Sequence, residues 1–186
     1  MDKINLYHVG FYIIENPILD KGRKNADFGQ GFYLSNDLDF VLKWAKFDND
    51  HNTYLNEYEL DLKNLNIKYF NKDFEWFSYI YDNRNNFKDI YNNYDLIIGP
   101  ISNDIIYDVL GITSSNILTK ELLYELSKIG ISYNQIVIKT DKALKNLKFK
   151  NSKILNENDL LKIKKDLKKE EKKFQKEYFK VLNKMI

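Results

Sequence analysis

The segment Asp27-Phe28-Gly29-Gln30-Gly31-Phe32-Tyr33-Leu34 constrains this chain more than any other. Two glycines stand between aromatic residues, directly before a short apolar run and then a helical pattern. Glycines at such a place let a backbone turn tightly or approach a ligand where a Cβ would collide. The aromatics beside them offer flat faces to a planar ligand. Residues 32–35 then read as a short strand. Asn36 or Asp37 can cap a following helix that carries Phe40, Val41, Trp44 and Phe47 at helical spacing.

Around this segment, strand and helix signals mix without strict βαβ alternation, which predicts an α+β fold. Residues 4–12 read as a strand around His8 and Gly10, broken at Asn16-Pro17, and residues 20–31 as a polar, glycine-rich loop. Residues 54–62 alternate as a strand. Residues 74–84 form an aromatic helix with Phe74, Phe77, Ile80 and Tyr81 on one face. Residues 94–98 make a compact strand stopped by Gly99-Pro100, with helical segments near 101–110 and 119–129. Residues 131–140 read as a strand, and Asp141 caps a short helix with Ala143, Leu144 and Leu147.

The 186 residues suit one domain with an appendage, 1–150 and 151–186. Residues 157–186 are Lys-rich and helical, with apolar Leu160, Ile163, Leu167, Phe174, Tyr178, Val181 and Met185. Glu170-Glu171 interrupts the stripe, so an amphipathic helix fits better than a coiled coil. Such a helix either packs back on the domain or serves as an arm for a partner or nucleic acid. Its interleaved acidic residues weaken the nucleic-acid version.

The absence of cysteine excludes disulfides, thiolate zinc sites and a thiol nucleophile. The acidic stretch around His51 lacks the EF-hand ligand spacing, so no metal is expected. Residues 1–5 carry no apolar signal core, and no apolar run nears the ~18 residues needed to span a bilayer. The expected location is the cytoplasm, with no membrane partner. The net charge of +2 decides nothing about nucleic acid. The wealth of Lys, Asn, Ile and Tyr matches AT-rich coding and points to a low-GC bacterium or its phage.

His8, on a strand of alternating character, is either a structural histidine or one that faces a cleft. Gly29-Gln30-Gly31 is an ordinary turn or a ligand contact. It lacks the third glycine of a dinucleotide-binding fingerprint and the Gly-Lys-Ser/Thr of a phosphate loop.

Asn16-Pro17-Ile18-Leu19 followed by Phe28-Gly29-Gln30-Gly31-Phe32-Tyr33-Leu34-Ser35 resembles the donor-site segment of poly(ADP-ribose)-polymerase-type ADP-ribosyltransferases. Those enzymes carry a His-Tyr-Glu triad on three strands. This chain offers Leu6-Tyr7-His8, Phe32-Tyr33 and Tyr133-Asn134-Gln135 in the same order. Trp44, eleven positions after Tyr33, matches the family's second nicotinamide-stacking aromatic. The arrangement also resembles an uncharacterised bacterial and phage domain family grouped with these transferases. Its shared segments are Trp76 with Asn83-Arg84, Tyr94-Asp95 with Gly99-Pro100, and Gln135 with Thr140 and Ala143-Leu144. The resemblance spans residues 4–150 and implies a split β-sandwich with flanking helices and a C-terminal helix.

The resemblance implies NAD as substrate, with His8 on a hydroxyl of the adenosine-side ribose. Val9 and Gly10 would hold the carboxamide through the backbone, although the family has Gly directly after its His. Tyr33 and Trp44 would flank the nicotinamide, with Phe28, Gly29 and Gly31 lining the donor loop. Arg23 is either a surface arginine or the fork that grips the pyrophosphate. Arg84 is an ion-pair residue or a site residue, Asp104 a helix cap or supporting residue, and Asp27 a loop-fixing residue. Gln135 replaces the family's Glu and cannot act as a carboxylate base. Polymer synthesis is therefore not expected. Transfer of one ADP-ribose to a macromolecule, protein or nucleic acid, is expected instead, as in a bacterial toxin or phage-conflict protein with an antitoxin partner. The alternatives are NAD hydrolysis, a non-catalytic NAD- or nucleotide-binding module, and a scaffold acting through its C-terminal helix.

Overall fold

The computed structural model describes residues 3–46, 48, 50–102, 120–130 and 132–185. The chain is α+β, with two sheets and, among the described residues, five α-helices. The first sheet is antiparallel, ordered β1 (Lys3–Gly10), β3 (Tyr54–Asp61), β7 (Leu147–Ile154). The second orders β2 (Phe32–Leu34), β6 (Asn134–Ile138), β5 (Leu96–Pro100), β4 (Ile67–Tyr69), with only β4–β5 parallel. The helices are α1 (Leu38–Leu42), α2 (Phe74–Arg84), α3 (Lys120–Ser127), α4 (Asp141–Lys145) and α5 (Glu157–Met185).

Strand alternation builds the layers, because successive side chains point to opposite faces. Leu6, Tyr58 and Leu60 of the first sheet meet Phe32, Leu34, Leu96, Ile136 and Ile138 of the second in one core. The opposite face of the second sheet carries Ile97 and Val137 against Trp76, Phe77, Tyr79 and Ile80 of α2 and Leu123 and Leu126 of α3. Val9 and Leu55 face away from the intersheet core and pack on Val41 of α1 and Ile163 of α5. The stripe of α5 thus serves two cores: Leu160, Ile163 and Leu167 join this last cluster, and Phe174, Tyr178 and Val181 join the α2–α3 cluster. At the interruption, Glu170 Oε1 pairs with Lys43 Nζ at 2.5 Å and accepts from the Tyr133 hydroxyl at 3.2 Å.

Several local expectations are corrected. The helix after Asp37 ends at Leu42, short of Trp44, because Lys43, Trp44 and Ala45 donate to carbonyls three residues back and tighten the chain into turns. Phe47, residues 103–110 of the predicted helix near 101–110, and with them Asp104, lie outside the described residues. Thr140, not Asp141, caps α4 through its hydroxyl. Leu147 belongs to β7, which runs past residue 150 to Ile154 and bulges opposite Glu57/Tyr58. Trp76 and Tyr79 are buried on α2, whereas Phe74 is exposed. No helix among the described residues is long and apolar enough to cross a membrane.

Phe174 is 5% exposed and is the first apolar anchor beyond the polar break in α5. Phe174→Ala should cost about 3 kcal/mol in urea unfolding, as truncation of a buried aromatic does. A change within experimental error would show that α5 does not pack there.

Candidate active site

Ser35 joins the two sheets and so sets the site. Its backbone forms the isolated bridge to Tyr7, with Tyr7 N donating to Ser35 O at 2.8 Å and Ser35 N donating to Tyr7 O at 3.2 Å. Its buried hydroxyl donates to Asn134 O at 2.7 Å. One residue thereby ties the neighbour of His8 to the neighbour of Gln135.

His8 is half-buried on β1, with its ring 5.0 Å from that of Phe32. Nδ1 lies 2.9 Å from Tyr33 O. A carbonyl only accepts, so Nδ1 carries the proton and the neutral ring presents Nε2 as an acceptor. Burial lowers the His8 pKa below its usual 6.5, partly offset by the Tyr33 carbonyl. A Cβ on Gly10 would stand 3.3 Å from His8 Nε2, so glycine there keeps that nitrogen uncovered. The Val9 side chain points to the opposite face of β1 from His8, against Val41 and Ile163, and so leaves the His8 side of its backbone uncovered by that side chain.

Tyr33 and Gln135 occupy the same face of the second sheet, since Tyr33 pairs with Val137, two residues beyond Gln135. The Tyr33 hydroxyl donates to Gly29 O at 2.7 Å and accepts from Phe28 N at 2.9 Å. Burial and the charge of Asp27 hold its pKa well above the ordinary tyrosine value, and Arg23 acts in the opposite direction. Arg23 is exposed and has no hydrogen bond or ion pair among the described residues, so its guanidinium is available near the Tyr33 face.

Gln135 is 4% exposed, and its Nε2 donates to Asp27 Oδ2 at 3.0 Å. The same oxygen accepts from Ser102 N at 3.0 Å, and Oδ1 accepts from Arg84 Nε at 2.7 Å and pairs with Arg84 Nη2. Asn83 Nδ2 donates to Asp27 O at 3.2 Å. Arg84 is therefore an ion-pair residue and Asp27 fixes the loop.

The glycine loop is held by the protein's own atoms. Gly29 has φ +70°, and a Cβ there would lie 2.6 Å from Asp89 Oδ2 and 3.1 Å from Lys139 Nζ. A Cβ on Gly31 would meet Ile138 O at 2.6 Å. Phe28 is fully buried, with ring contacts to Phe70 and Tyr79. These three residues shape the loop from behind rather than presenting an open face.

Trp44 lies apart from the other ring. It packs edge-on to Phe40 at 4.9 Å, and no ring contact joins it to Tyr33 among the described residues. It lines a cavity of about 390 Å³ with Phe40, Lys43, Ser102, Tyr133 and Glu170. The structure thus ties the His8 ring to the Tyr33 backbone and sets the Tyr33 and Gln135 side chains on one face of the second sheet, while the His8 ring itself lies on Phe32, towards the intersheet core, and Trp44 stands apart. Ser35 and Ser102 carry no local signature that marks them as supports, whereas the pairing of Asp27 with Arg84 accords with a loop-fixing acid and an ion-pair arginine. Among the described residues, no group of three or more His, Asp or Glu is placed to hold a metal ion.

Because the folded His8 pKa is lowered, the unfolded chain binds its proton first on acidification. His8 therefore makes stability fall as pH drops from 6.5 to the lowered folded value, with no further loss below it. His8→Gln should remove this slope from the urea midpoint between pH 7 and pH 5, on the order of two units around the usual His pKa. Parallel curves for the two proteins would contradict the assigned environment.

No curated protein and no solved structure matches the chain. Residues 4–149 match a family described as "Protein of unknown function (DUF3990)". That span takes in both sheets up to the middle of β7, together with the whole candidate site. The chain belongs to the DUF3990 family.

Proposed function

We propose that this protein is an NAD-dependent mono-ADP-ribosyltransferase whose two face-to-face sheets form a split β-sandwich of the ADP-ribosyltransferase type. The observation that carries the reading is the linkage of β1, β2 and β6, the strands that carry His8, Tyr33 and Gln135, through Ser35 and the His8–Tyr33 hydrogen bond. His8 Nε2 accepts from the adenosine-side ribose, Arg23 takes the pyrophosphate, and Gln135 holds the nicotinamide-side 2′-hydroxyl. Orienting that ribose favours breakage of the C1′–N bond. The bond's electrons leave with neutral nicotinamide and an oxocarbenium-like ribose remains. The acceptor's nucleophile bonds to C1′ and releases its proton to solvent, since Gln135 is no base.

Tyr12, Ile13 and Ile18 are 71%, 51% and 60% exposed on the segment between His8 and Arg23. Exposed apolar side chains on the segment that joins His8 to Arg23 favour a macromolecular acceptor over water. Such an activity suits a bacterial toxin or phage-conflict protein restrained by an antitoxin.

Purified protein incubated with NAD should release nicotinamide and, with cell lysate, transfer label from radioactive NAD to a macromolecule. Gln135→Ala and His8→Ala, checked for folding by melting temperature, should each lower release by about 10²-fold, the scale seen when one preorganised contact is removed. Release without transfer would instead assign NAD hydrolysis. The absence of release even with lysate would overturn the enzyme reading and favour an NAD-binding module.

A further inference from the structure

We infer that Asp27 is the positioning residue that orients the Gln135 amide, drawing Nε2 inward and leaving Oε1 for a ligand hydroxyl. A glutamine amide has two ends of similar shape and opposite hydrogen-bonding character. On its own it can turn either one towards a ligand. Here the Asp27 carboxylate removes that freedom. Its two oxygens receive donors from Arg84, Ser102 N and Gln135, and an acceptor-only group takes the NH2 end alone. Among the described residues Gln135 Oε1 accepts no hydrogen bond, so it is the end left free. The inference rests on the proposed function for the identity of the ligand, but the orientation does not.

The same geometry explains why an amide stands where the resemblance implies a carboxylate. A Glu at position 135 would bring a second carboxylate to about the 3.0 Å now spanned by the Gln135–Asp27 hydrogen bond. Two carboxylates that close cannot both ionise, and among the described residues only Arg84 is paired with Asp27 to offset them. Gln135 is thus the complement of Asp27, and introducing the Glu of the ADP-ribosyltransferase triad at this position alone should harm the site.

Two measurements test this in the full-length chain. In wild-type protein the Gln135 side-chain amide protons, followed by NMR, should exchange with solvent far more slowly than those of an exposed glutamine. Free exchange would overturn the orientation whether or not NAD is cleaved. Next, nicotinamide release is compared among Asp27→Asn, Gln135→Glu and the double variant. Asp27→Asn offers an NH2 group to position 135 and should turn the amide round, with a loss of about 10²-fold, as for a misplaced contact. Gln135→Glu should also lose activity. In the double variant, the amide introduced at position 27 can donate to the carboxylate introduced at position 135. Release should then exceed that of either single variant by about tenfold or more.

A double variant no better than Gln135→Glu would mean that Asp27 serves only to hold Arg84 and Ser102, and would overturn the proposal. If wild-type protein releases no nicotinamide while the Gln135 protons are protected, the functional reading fails and the orientation stands.

Discussion

One buried carboxylate, Asp27, holds the centre of this molecule. It sits in the loop between β1 and β2 and gathers Arg84 from the end of α2, the Ser102 amide beyond β5 and Gln135 on β6. A loop, a helix and two strands therefore depend on one acceptor. Removing it would take the acceptor away from the buried Ser102 amide and from Gln135 Nε2, and a buried donor left unsatisfied costs about 1–3 kcal/mol in other proteins. The rest of the loop is tied from the opposite side. Lys139 Nζ donates to Phe28 O at 2.6 Å and to Asp89 Oδ2 at 2.8 Å, and burial lowers its pKa. Gln30 Nε2 reaches Asp20 O and Gly22 O, each at 3.1 Å.

This fixed loop gives the strand-borne residues their chemistry. The Tyr33 hydroxyl is fully engaged by the loop backbone, so its ring is held rigidly on the sheet face. Burial favours the neutral His8, and the Tyr33 carbonyl holds one of its nitrogens so that the other is left for a ligand. Gln135 is likewise single-ended through Asp27. In each case a backbone or buried group saturates one side of a polar side chain and leaves the other for a ligand. A site assembled this way loses little freedom on binding, which is where much of the cost of recognition lies.

Alternation and β-forming residues made β1 and β3 legible, the apolar run Ile136-Val137-Ile138 marked β6, and apolar–aromatic density marked α2. The ends of elements were less visible. β7 hides behind Lys148, Lys150 and Lys153, the lysines that suit a strand at a sheet edge, and β4 spans only three residues. The turn after Leu42 depends on Ala45 and Trp44 packing into the cluster with Val9 and Leu55, contacts that no local window contains. The glycines teach the same lesson. Their spacing announced a close approach, but the atoms that approach Gly29 come from Asn83, Asp89 and Lys139, all distant in sequence. Arg84 offered two readings in the sequence, and only the fold supplied Asp27 as its partner.

The central proposal is that NAD binds where β1 meets the second sheet, against His8, Tyr33 and Gln135. A crystal structure with an NAD analogue whose nicotinamide-side ribose oxygen is replaced by methylene tests it most directly, because that bond cannot form the oxocarbenium. The 2′-hydroxyl of that ribose should lie within about 3 Å of Gln135 Oε1, hydrogen-bond distance. The adenosine-side ribose should lie on His8 Nε2, with the pyrophosphate beside Arg23. An analogue bound elsewhere, for instance in the cavity between Trp44 and Glu170, or no binding at all, would contradict it.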